Sequence, residues 1–328
     1  MTRVNELRLI TRVAQMYHTE RIRQAEIAAR LRLSQASVSR MLKRAADEGI
    51  VRTTIFAPPG TYADLEAGLR ERFGLPEAIV VECTEDRDAA IMTRIGEAAA
   101  HFLEVTLQRD EVIGVSSWSE TILKMVENIH PMKAGAAKYV VQTLGGVGNP
   151  AVQTHATQLT TRLAKLTGAE PRLLALQGVA QSREAKLVML SDPYVRETLD
   201  LFSKISLAFV GIGAIEPSRM LARSGNVFSE RELAELSEAG AVGDMSLRFF
   251  DRDGAIVKTP LDERVIGIKL EELSGIERVV GLAGGRAKAK AIAGALRTNV
   301  LDILITDKFT AARLLEREVD PNTEHANA

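Results

Sequence analysis

Several features are scarce in this sequence, and each scarcity excludes a class of protein. The 328 residues include a single cysteine, Cys83, so the chain can form neither an internal disulfide nor a cysteine-rich metal site. No apolar run reaches the roughly 18 residues that span a bilayer. The longest candidate, residues 205–215, is interrupted by glycine and is predicted to be a buried strand. Because the N-terminus also lacks the apolar segment of a signal peptide, we expect a cytoplasmic protein.

Fingerprints of nucleotide and metal sites are absent as well. The glycines at 145, 146 and 148 lack the Rossmann spacing, and residues 284–288 lack the ending of a P-loop. The five histidines are scattered and form no metal-ligand pattern. We therefore predict no cofactor and no metal ion.

Charge is distributed unevenly along the chain, although the net charge is only −1. Residues 1–57 hold eleven Arg and Lys against five Asp and Glu, a formal charge of +6, and the remainder carries −7. A basic N-terminal region followed by an acidic remainder is typical of a protein whose N-terminal region binds the phosphate groups of nucleic acid. This distribution predicts double-stranded DNA as a partner.

Three helices are predicted in residues 1–57, over 4–17, 24–31 and 35–48. The apolar stripe of the first runs from Val4 to Tyr17. Ser34 is a suitable N-cap for the third helix, and Gly49 is a suitable terminating residue. The second and third helices have the spacing of a helix-turn-helix, with Ile27, Leu31 and Val38 among the residues facing inward. Residues 50–56 alternate like a strand, which would make this a winged-helix-like domain.

Short polar and cationic side chains crowd the outward face of the third helix, as a recognition helix in the major groove requires. The predicted DNA-binding residues are Ser34, Gln35, Ser37, Ser39, Arg40, Lys43 and Arg44. Gln35 and Ser37 are the candidates for base contacts and Arg40 for a guanine or a phosphate. The alternative is a protein-interaction module with a solvated basic face. A single helix-turn-helix usually reads a two-fold site as a dimer, so self-association is expected.

The rest of the chain is predicted to be α/β. Pro58, Pro59 and Gly60 mark a linker, and residues 58–77 form this linker and a connecting helix whose apolar stripe is either core or a dimer contact. From residue 78 to 318, eight strand candidates alternate with seven amphipathic helices, which indicates a doubly wound, mainly parallel sheet. Residues 319–328 are predicted to be a tail. The predicted strands include 111–115, 172–175, 207–211 and 246–250.

Four loops of small residues follow predicted strands, over 114–121, 144–149, 211–214 and 281–288. Ligands of parallel α/β sheets bind beyond the carboxyl ends of the strands, where backbone N–H groups can meet an anion. These loops favour a phosphorylated or polyhydroxylated ligand, although glycines after strands can also serve turn geometry alone. Asp244 either accepts ligand hydroxyls or caps a turn, and Lys288 either binds phosphate or is solvated. Trp118 either stacks on a ligand or belongs to the core.

Several sequence blocks resemble the SorC family of sugar-binding transcriptional regulators over nearly the full length. They are residues 24–31, 34–42, 48–51, 211–213, 240–245, 280–297 and 304–314. The resemblance implies an effector domain related in fold to glucosamine-phosphate deaminase and ribose-phosphate isomerase, without their catalysis. It also implies phosphosugar-type effectors, dimers or tetramers, and control of a carbohydrate operon.

The family's motifs place the effector-binding residues at loop positions of this chain. They are Ser116, Ser117, Trp118, Ser119, Gly145, Gly146, Asp244 and Lys288, and Gly213 of the small-residue loop 211–214 is a further candidate. The loop from Ser116 to Thr121 is one residue longer than the usual family form, and this variant is similar to regulators of sugar-alcohol catabolism.

Two functions are therefore compared, a regulator controlled by a sugar, sugar alcohol or sugar phosphate, and an isomerase- or deaminase-like enzyme with an accessory DNA-binding region. The enzyme would need a general base, for which Asp244 is the only candidate. We predict a regulator rather than an enzyme.

Overall fold

The computed structural model of the chain describes residues 3–51, 58, 60–116, 118–146, 150–215 and 228–316. Two compact units are present, Met1–Pro58 and Pro59–Ala328, called here the N-terminal unit and the C-terminal unit. Most of the predicted wing strand and the whole predicted tail lie outside the described residues. None of the described helices is both long and apolar enough to cross a bilayer.

The N-terminal unit is built from three helices. Helix α1 (Arg3–Ala14) continues into a π-helical turn (Gln15–Thr19), and α2 (Gln24–Leu31) and α3 (Gln35–Asp47) follow. Arg32 ends α2 in a left-handed conformation, with φ of 54°. The predicted inner face is confirmed by a cluster of fully buried residues with partly buried neighbours around it, made of Val13, Met16, Ile27, Ala28 and Val38 with Ile22, Leu31, Leu33, Met41 and Leu42.

One detail of the predicted first helix is wrong. The helical spacing placed Tyr17 on the inner stripe, but Tyr17 is 38% exposed and Met16 is 2% exposed. The cause is the π-helical turn, in which the N–H of Glu20 donates to the carbonyl of Gln15, five residues earlier. The wider turn rotates the following side chains relative to a regular α-helix.

The C-terminal unit contains a sheet of seven parallel strands, which confirms the predicted α/β class. Its strands are β1 (Glu77–Val81), β2 (Glu111–Val115), β3 (Ala137–Gln142), β4 (Glu170–Arg172), β5 (Leu207–Gly211), β9 (Arg278–Leu282) and β10 (Ile303–Asp307). Their order across the sheet is β1-β10-β9-β5-β2-β3-β4. Alternate residues of a strand enter the hydrophobic cores on opposite faces, as Phe209 and Val210 do in β5.

Helices cover both faces of this sheet. The ten helices that the structure describes here are α4 (Ala63–Phe73), α5 (Asp88–Thr106), α6 (Glu120–Asn128), α7 (Pro150–Thr167), α8 (Arg183–Leu190), α9 (Pro193–Asp200), α10 (Glu230–Glu238), α11 (Leu270–Leu273), α12 (Ala289–Arg297) and α13 (Lys308–Leu315). Helices α5, α6 and α7 line one core, and α4, α12 and α13 line the other. Leu69 of α4 is fully buried there, so the stripe of the connecting helix is core.

A small antiparallel sheet corrects the predicted strand over residues 246–250. It consists of β6 (Gly213–Ala214), β7 (Ala241–Met245) and β8 (Arg248–Asp251). Ser246 and Leu247 form the turn between β7 and β8, both with positive φ, 54° and 60°. Because neither residue is a glycine or asparagine, the sequence carried no turn signal there.

Two further expectations differ from the structure. The strand predicted at 172–175 is observed earlier, at Glu170–Arg172, and helix α8 was not predicted. Helix α8 presents apolar side chains on its outer as well as its inner side, so it lacks the one-sided pattern by which amphipathic helices are recognised.

The strand order creates a crevice at the carboxyl ends of β2 and β5. After β2 the chain passes through α6 to β3 on one side, whereas after β5 it proceeds to β9 on the other side. Such a reversal point is where ligands of open α/β sheets bind. The fold therefore directs attention to the residues that follow β2, β5 and β9.

Candidate functional site

The exposed face of α3 carries most of the predicted DNA-binding side chains. Gln35, Ser39 and Lys43 are four residues apart and form one exposed stripe, with Arg40 beside it. Val38 and Ala45 lie on the opposite, buried face. This arrangement leaves the polar stripe accessible along its whole length.

The start of α3 is fixed by its own hydroxyl groups. Ser34 caps the helix, with Oγ accepting a hydrogen bond of 3.1 Å from the N–H of Ser37. The hydroxyl of Ser37 lies 2.8 Å from that of Ser34 and accepts a bond of 3.2 Å from Arg40. Ser37, predicted to contact a base, is therefore engaged within the helix and half-buried.

Arg44 links α3 to α1. Its guanidinium donates to Glu6 at 2.5 Å and to Glu48 at 2.8 Å. The hydrogen bond from Arg44 lowers the pKa of Glu6, so this pair is ionised at neutral pH. Arg40 and Lys43, in contrast, have no ion-pair partner among the described residues, and both are exposed.

In the C-terminal unit, two predicted serines lie at the crevice between β2 and β5. Ser116 directly follows β2, is buried, and donates its N–H to the carbonyl of Phe209 at 3.1 Å. Ser119 caps α6 through a bond of 3.3 Å from the N–H of Ile122. A Cβ on Gly211 would lie 2.7 Å from the Ser119 hydroxyl, so the glycine at the end of β5 permits this close approach. Ser117 lies outside the described residues.

Trp118, which was a candidate for stacking on a ligand, is part of the core. Trp118 is 8% exposed and packs with Leu144 and Leu247 in a hydrophobic cluster. Its indole N–H donates to the carbonyl of Gly145 at 3.2 Å. The ring supports the Gly145 loop from within the core, which agrees with the second of the two interpretations of Trp118.

The amides of Gly145 and Gly146, in the loop predicted to offer N–H groups to an anion, are hydrogen-bonded within the protein. The N–H of Gly145 donates to Ile266 and that of Gly146 to Leu176, at 3.1 and 2.7 Å. A Cβ on Gly145 would lie 2.8 Å from the backbone of Gly178. These glycines allow two backbone segments to pack closely, and their amides are already satisfied.

Asp244 and Gly213 form a tight contact between β7 and β6. A Cβ on Gly213 would lie 2.1 Å from Oδ1 of Asp244. The other carboxylate oxygen accepts a bond of 2.9 Å from the N–H of Leu247, so Asp244 caps the β7–β8 turn. Burial raises the pKa of Asp244 to about 6, although this hydrogen bond and the charge of Lys288 favour the ionised form.

Lys288 is a half-buried cation close to three carboxylates. Burial lowers its pKa, and the charges of Asp244, Asp88 and Glu120 act in the opposite direction. No carboxylate of the described residues approaches its ammonium group to within 4.0 Å. The ammonium group is therefore placed to interact with an anionic or hydroxyl-rich ligand without first breaking an ion pair.

The loop before Lys288 is held by α13. Gly285, with φ of 101°, donates its N–H to Thr310 Oγ1 at 2.8 Å. Asp307 caps α13, and it also accepts a bond of 2.5 Å from the Thr310 hydroxyl. The N–H groups of Arg286 and Ala287 have no acceptor among the described residues. Arg286, Ala287 and Lys288 are consecutive residues of the segment that follows β9.

Sequence reasoning missed Asp88 and Glu120 as neighbours of Lys288. Each is the first residue of a helix that follows a sheet strand. That position faces the carboxyl edge of the sheet, which is the signal that could have identified them.

Comparisons with known proteins agree with both units. Residues 58–316 match the family described as "Putative sugar-binding domain", and residues 14–52 match winged helix-turn-helix DNA-binding domains. The deoxyribonucleoside regulator of Bacillus subtilis is 30% identical over 92% of this chain and 95% of its own. The sorbitol operon regulator of Klebsiella pneumoniae is 27% identical over 96% of this chain and 100% of its own.

Solved structures show the same architecture. The full-length sorbitol operon regulator SorC from Klebsiella pneumoniae superposes with a TM-score of 0.72, at 26% identity over 94% of this chain and 99% of that chain. A domain of the transcriptional regulator DeoR from Pseudomonas syringae pv. tomato is 41% identical, with a TM-score of 0.62 over 78% of this chain and 99% of that chain.

A DNA-reading helical unit followed by a sugar-binding α/β unit defines a DNA-binding transcriptional regulator. The proteins that match the chain are regulators, which supports this function and not the enzyme alternative. The chain belongs to the SorC family of sugar-binding transcriptional regulators.

Proposed function

We propose that the C-terminal unit binds a sugar, sugar alcohol or, by preference, a sugar phosphate at the carboxyl edge of its sheet. The observation that carries this proposal is Lys288, a half-buried cation with no carboxylate of the described residues within 4.0 Å. It directly follows Arg286 and Ala287, whose amides have no protein acceptor in that part of the chain. An anionic group on the ligand would satisfy all three. The proposed effector-binding residues remain Ser116, Ser117, Trp118, Ser119, Gly145, Gly146, Gly213, Asp244 and Lys288, with Trp118, Gly145 and Gly146 shaping the site.

The relatives support a polyhydroxylated effector. Their names refer to deoxyribonucleosides, to sorbitol and, for a Brucella abortus relative at 28% identity, to erythritol catabolism. Carboxylates such as Asp244 accept hydrogen bonds from hydroxyl groups, and Lys288 attracts a phosphate. We propose that the protein controls an operon for carbohydrate or sugar-alcohol catabolism.

The effector site is tested by thermal shift of the full chain with deoxyribose, sorbitol and erythritol and the phosphate ester of each. A compound that binds only the native state raises the melting temperature. We expect a larger rise with the phosphorylated member of a pair and loss of the rise in Lys288→Ala. Lys290→Ala, an exposed lysine two residues further along in the first turn of α12, is the matched control. An equal response in the Lys288 variant would refute this placement of the site.

We further propose that the exposed stripe of α3 reads operator DNA as part of a self-associated protein. The residues are Ser34, Gln35, Ser37, Ser39, Arg40, Lys43 and Arg44, all of them exposed except the half-buried Ser37 and Arg44. An operator would be selected from a random DNA pool with the full chain. Gln35→Ala should then cost about 1–3 kcal/mol on the selected sequence only.

Lys43 supplies a separate test of the phosphate contacts. Lys43→Ala should weaken binding to all sequences and reduce the slope of log K against log salt by about 1. Lys133→Ala, in the C-terminal unit, is the control. A salt-independent affinity of the wild-type chain would contradict the assignment of α3 to DNA.

A further inference from the structure

A cavity of about 320 Å³ lies at the amino edge of the seven-stranded sheet, beside the end of α9. Val112 and Tyr139, near the starts of β2 and β3, line it together with Leu201 and Lys204, which precede β5. The candidate effector residues lie at the opposite edge, where the strands end. The five residues of β5 separate the two edges by about 15 Å. The cavity is therefore a separate place in the fold.

One wall of the cavity is apolar, and the core fixes its position. Val112 and Leu201 are buried in one hydrophobic cluster, against which Tyr139 packs. The guanidinium carbon of Arg172 lies 4.8 Å from the centroid of the Tyr139 ring, and the ammonium group of Lys138 lies 5.5 Å from it. Cations are attracted to the face of an aromatic ring. Tyr139 thus brings two cations to this wall.

Arg172, which lines the cavity, is paired with two carboxylates but keeps one free donor. Its terminal nitrogens lie 3.1 Å from Glu170 and 3.4 Å from Glu197. Its Nε is buried and has no hydrogen-bond partner among the described residues. A buried donor without an acceptor is unfavourable, so an acceptor supplied by a ligand would stabilise the folded unit.

The other charged side chains of the cavity are unpaired. In the part of the chain that the structure describes, Lys138 and Lys204 have no carboxylate within 4.0 Å, and Asp200 has no cation within that distance. All three are exposed to solvent. Once the pairs of Arg172 are set aside, two ammonium groups and one carboxylate remain, an excess of positive charge. Such a set attracts an anion and also offers an acceptor for a donor on the same ligand.

We propose that this cavity binds a small hydroxylated organic anion, either a hydroxycarboxylate or a hydroxylated phosphate ester. The anionic group would accept hydrogen bonds from Lys138, Lys204 and Nε of Arg172, and a hydroxyl group would donate to Asp200. A volume of about 320 Å³ is at the lower end of the range of small-molecule pockets. The ligand would join β3, β4 and α9 away from the candidate effector site, so the inference does not depend on the proposed function.

Isothermal titration calorimetry of the full chain at constant ionic strength tests the ligand class. Malate is compared with succinate, and glycerol phosphate with propyl phosphate, so each hydroxylated anion has a counterpart without hydroxyl groups. We expect malate or glycerol phosphate to bind, about fivefold more tightly than its counterpart. Asp200→Ala should remove that preference. Absence of binding by both hydroxylated anions, or a preference that Asp200→Ala leaves intact, would overturn the proposal.

Lys138→Gln with Lys204→Gln tests where the anion binds. This double variant should weaken binding about tenfold, because both ammonium groups contact the anion. Lys133→Gln, an exposed lysine that precedes the same strand as Lys138, is the matched control and should bind as the wild type does. A double variant that binds like the wild type would refute the site. If binding is lost in Lys288→Ala instead, the anion occupies the candidate effector site, and only the proposed function stands.

The wild-type chain gives a second measurement at the same lysines. Acetic anhydride acetylates exposed lysines, and peptide mass spectrometry measures the rate at each one. At a ligand concentration of about twice Kd, acetylation of Lys138 and Lys204 should slow about threefold, because only about a third of the chains are unoccupied. The rate at Lys133 should not change. Equal rates with and without the ligand at all three lysines would overturn the proposal, even if the double variant fails to fold.

Discussion

In the N-terminal unit the candidate functional side chains are neighbours on one helix and face solvent, whereas in the C-terminal unit they come from distant strands. Gln35, Ser39 and Lys43 occupy consecutive turns of α3 and make no contact with one another that fixes them. Asp244, Gly213 and Lys288 are half-buried, and Gly213 and Asp244 constrain each other. This difference indicates that single substitutions can alter the exposed face of α3 without disturbing other residues. In the candidate effector site, a substitution also requires the neighbouring residues to move.

The largest effect is expected at the contact between Gly213 and Asp244. Gly213→Ala would place a Cβ 2.1 Å from Oδ1, so Asp244 must move and its bond to Leu247 is strained. We expect a loss of about 2–3 kcal/mol in the free energy of unfolding of the C-terminal unit. Denaturation in urea followed by the fluorescence of Trp118, the only tryptophan, measures this unit alone.

Gly275→Ala is the matched control for that substitution, because its Cβ would meet only the carbonyl of Glu272 at 3.5 Å, an ordinary contact. Equal stability of the two variants would show that the effector site tolerates local change as the DNA-reading face does, and the contrast between the units would fail.

The second prediction concerns pH. The pKa of Asp244 in the folded protein, about 6, lies above its ordinary value of 3.8, so ionisation favours the unfolded chain. The contribution of this group to stability is fully present below about pH 4 and is lost as pH rises through about 6. Asp244→Asn should remove this dependence, which amounts to about 2–3 kcal/mol between pH 4 and pH 7.

The measurement is the difference in unfolding free energy between wild type and Asp244→Asn at each pH, followed by Trp118 fluorescence. Asp253→Asn, which replaces an exposed carboxylate, is measured in parallel as the control. If the difference in unfolding free energy between wild type and Asp244→Asn does not change with pH, the Asp244 carboxyl is not desolvated in the folded unit.

The smallest effect is expected at the start of α3. Ser34→Ala removes the acceptor for the N–H of Ser37 and should cost about 1 kcal/mol. Hydrogen exchange of the Ser37 amide in the full chain should accelerate about five-fold. Ser39→Ala, an exposed serine without a cap bond, should leave that exchange unchanged. Equal exchange in both variants would mean that Ser34 does not hold the helix.

Much of the fold could be predicted from local pattern. Ser34 and Gly49 bound α3 as expected, and β2 and β5 have the predicted bounds. These features depend on hydrogen bonds and side-chain periodicity within a few residues, which the sequence displays directly. The π-helical turn after α1 and the β7–β8 turn escaped prediction because their backbone conformations have no residue-type signal at Tyr17 or Ser246.

The sequence by itself determined that the chain has a basic helix-turn-helix and a parallel α/β unit with small-residue loops after its strands. Only the tertiary structure decided that Lys288 lies near Asp88, Glu120 and Asp244, and that the amides of Gly145 and Gly146 are already bonded. The physical reason is that strand order decides which loops meet at the edge of the sheet. Hydrophobic alternation makes each strand without fixing that order.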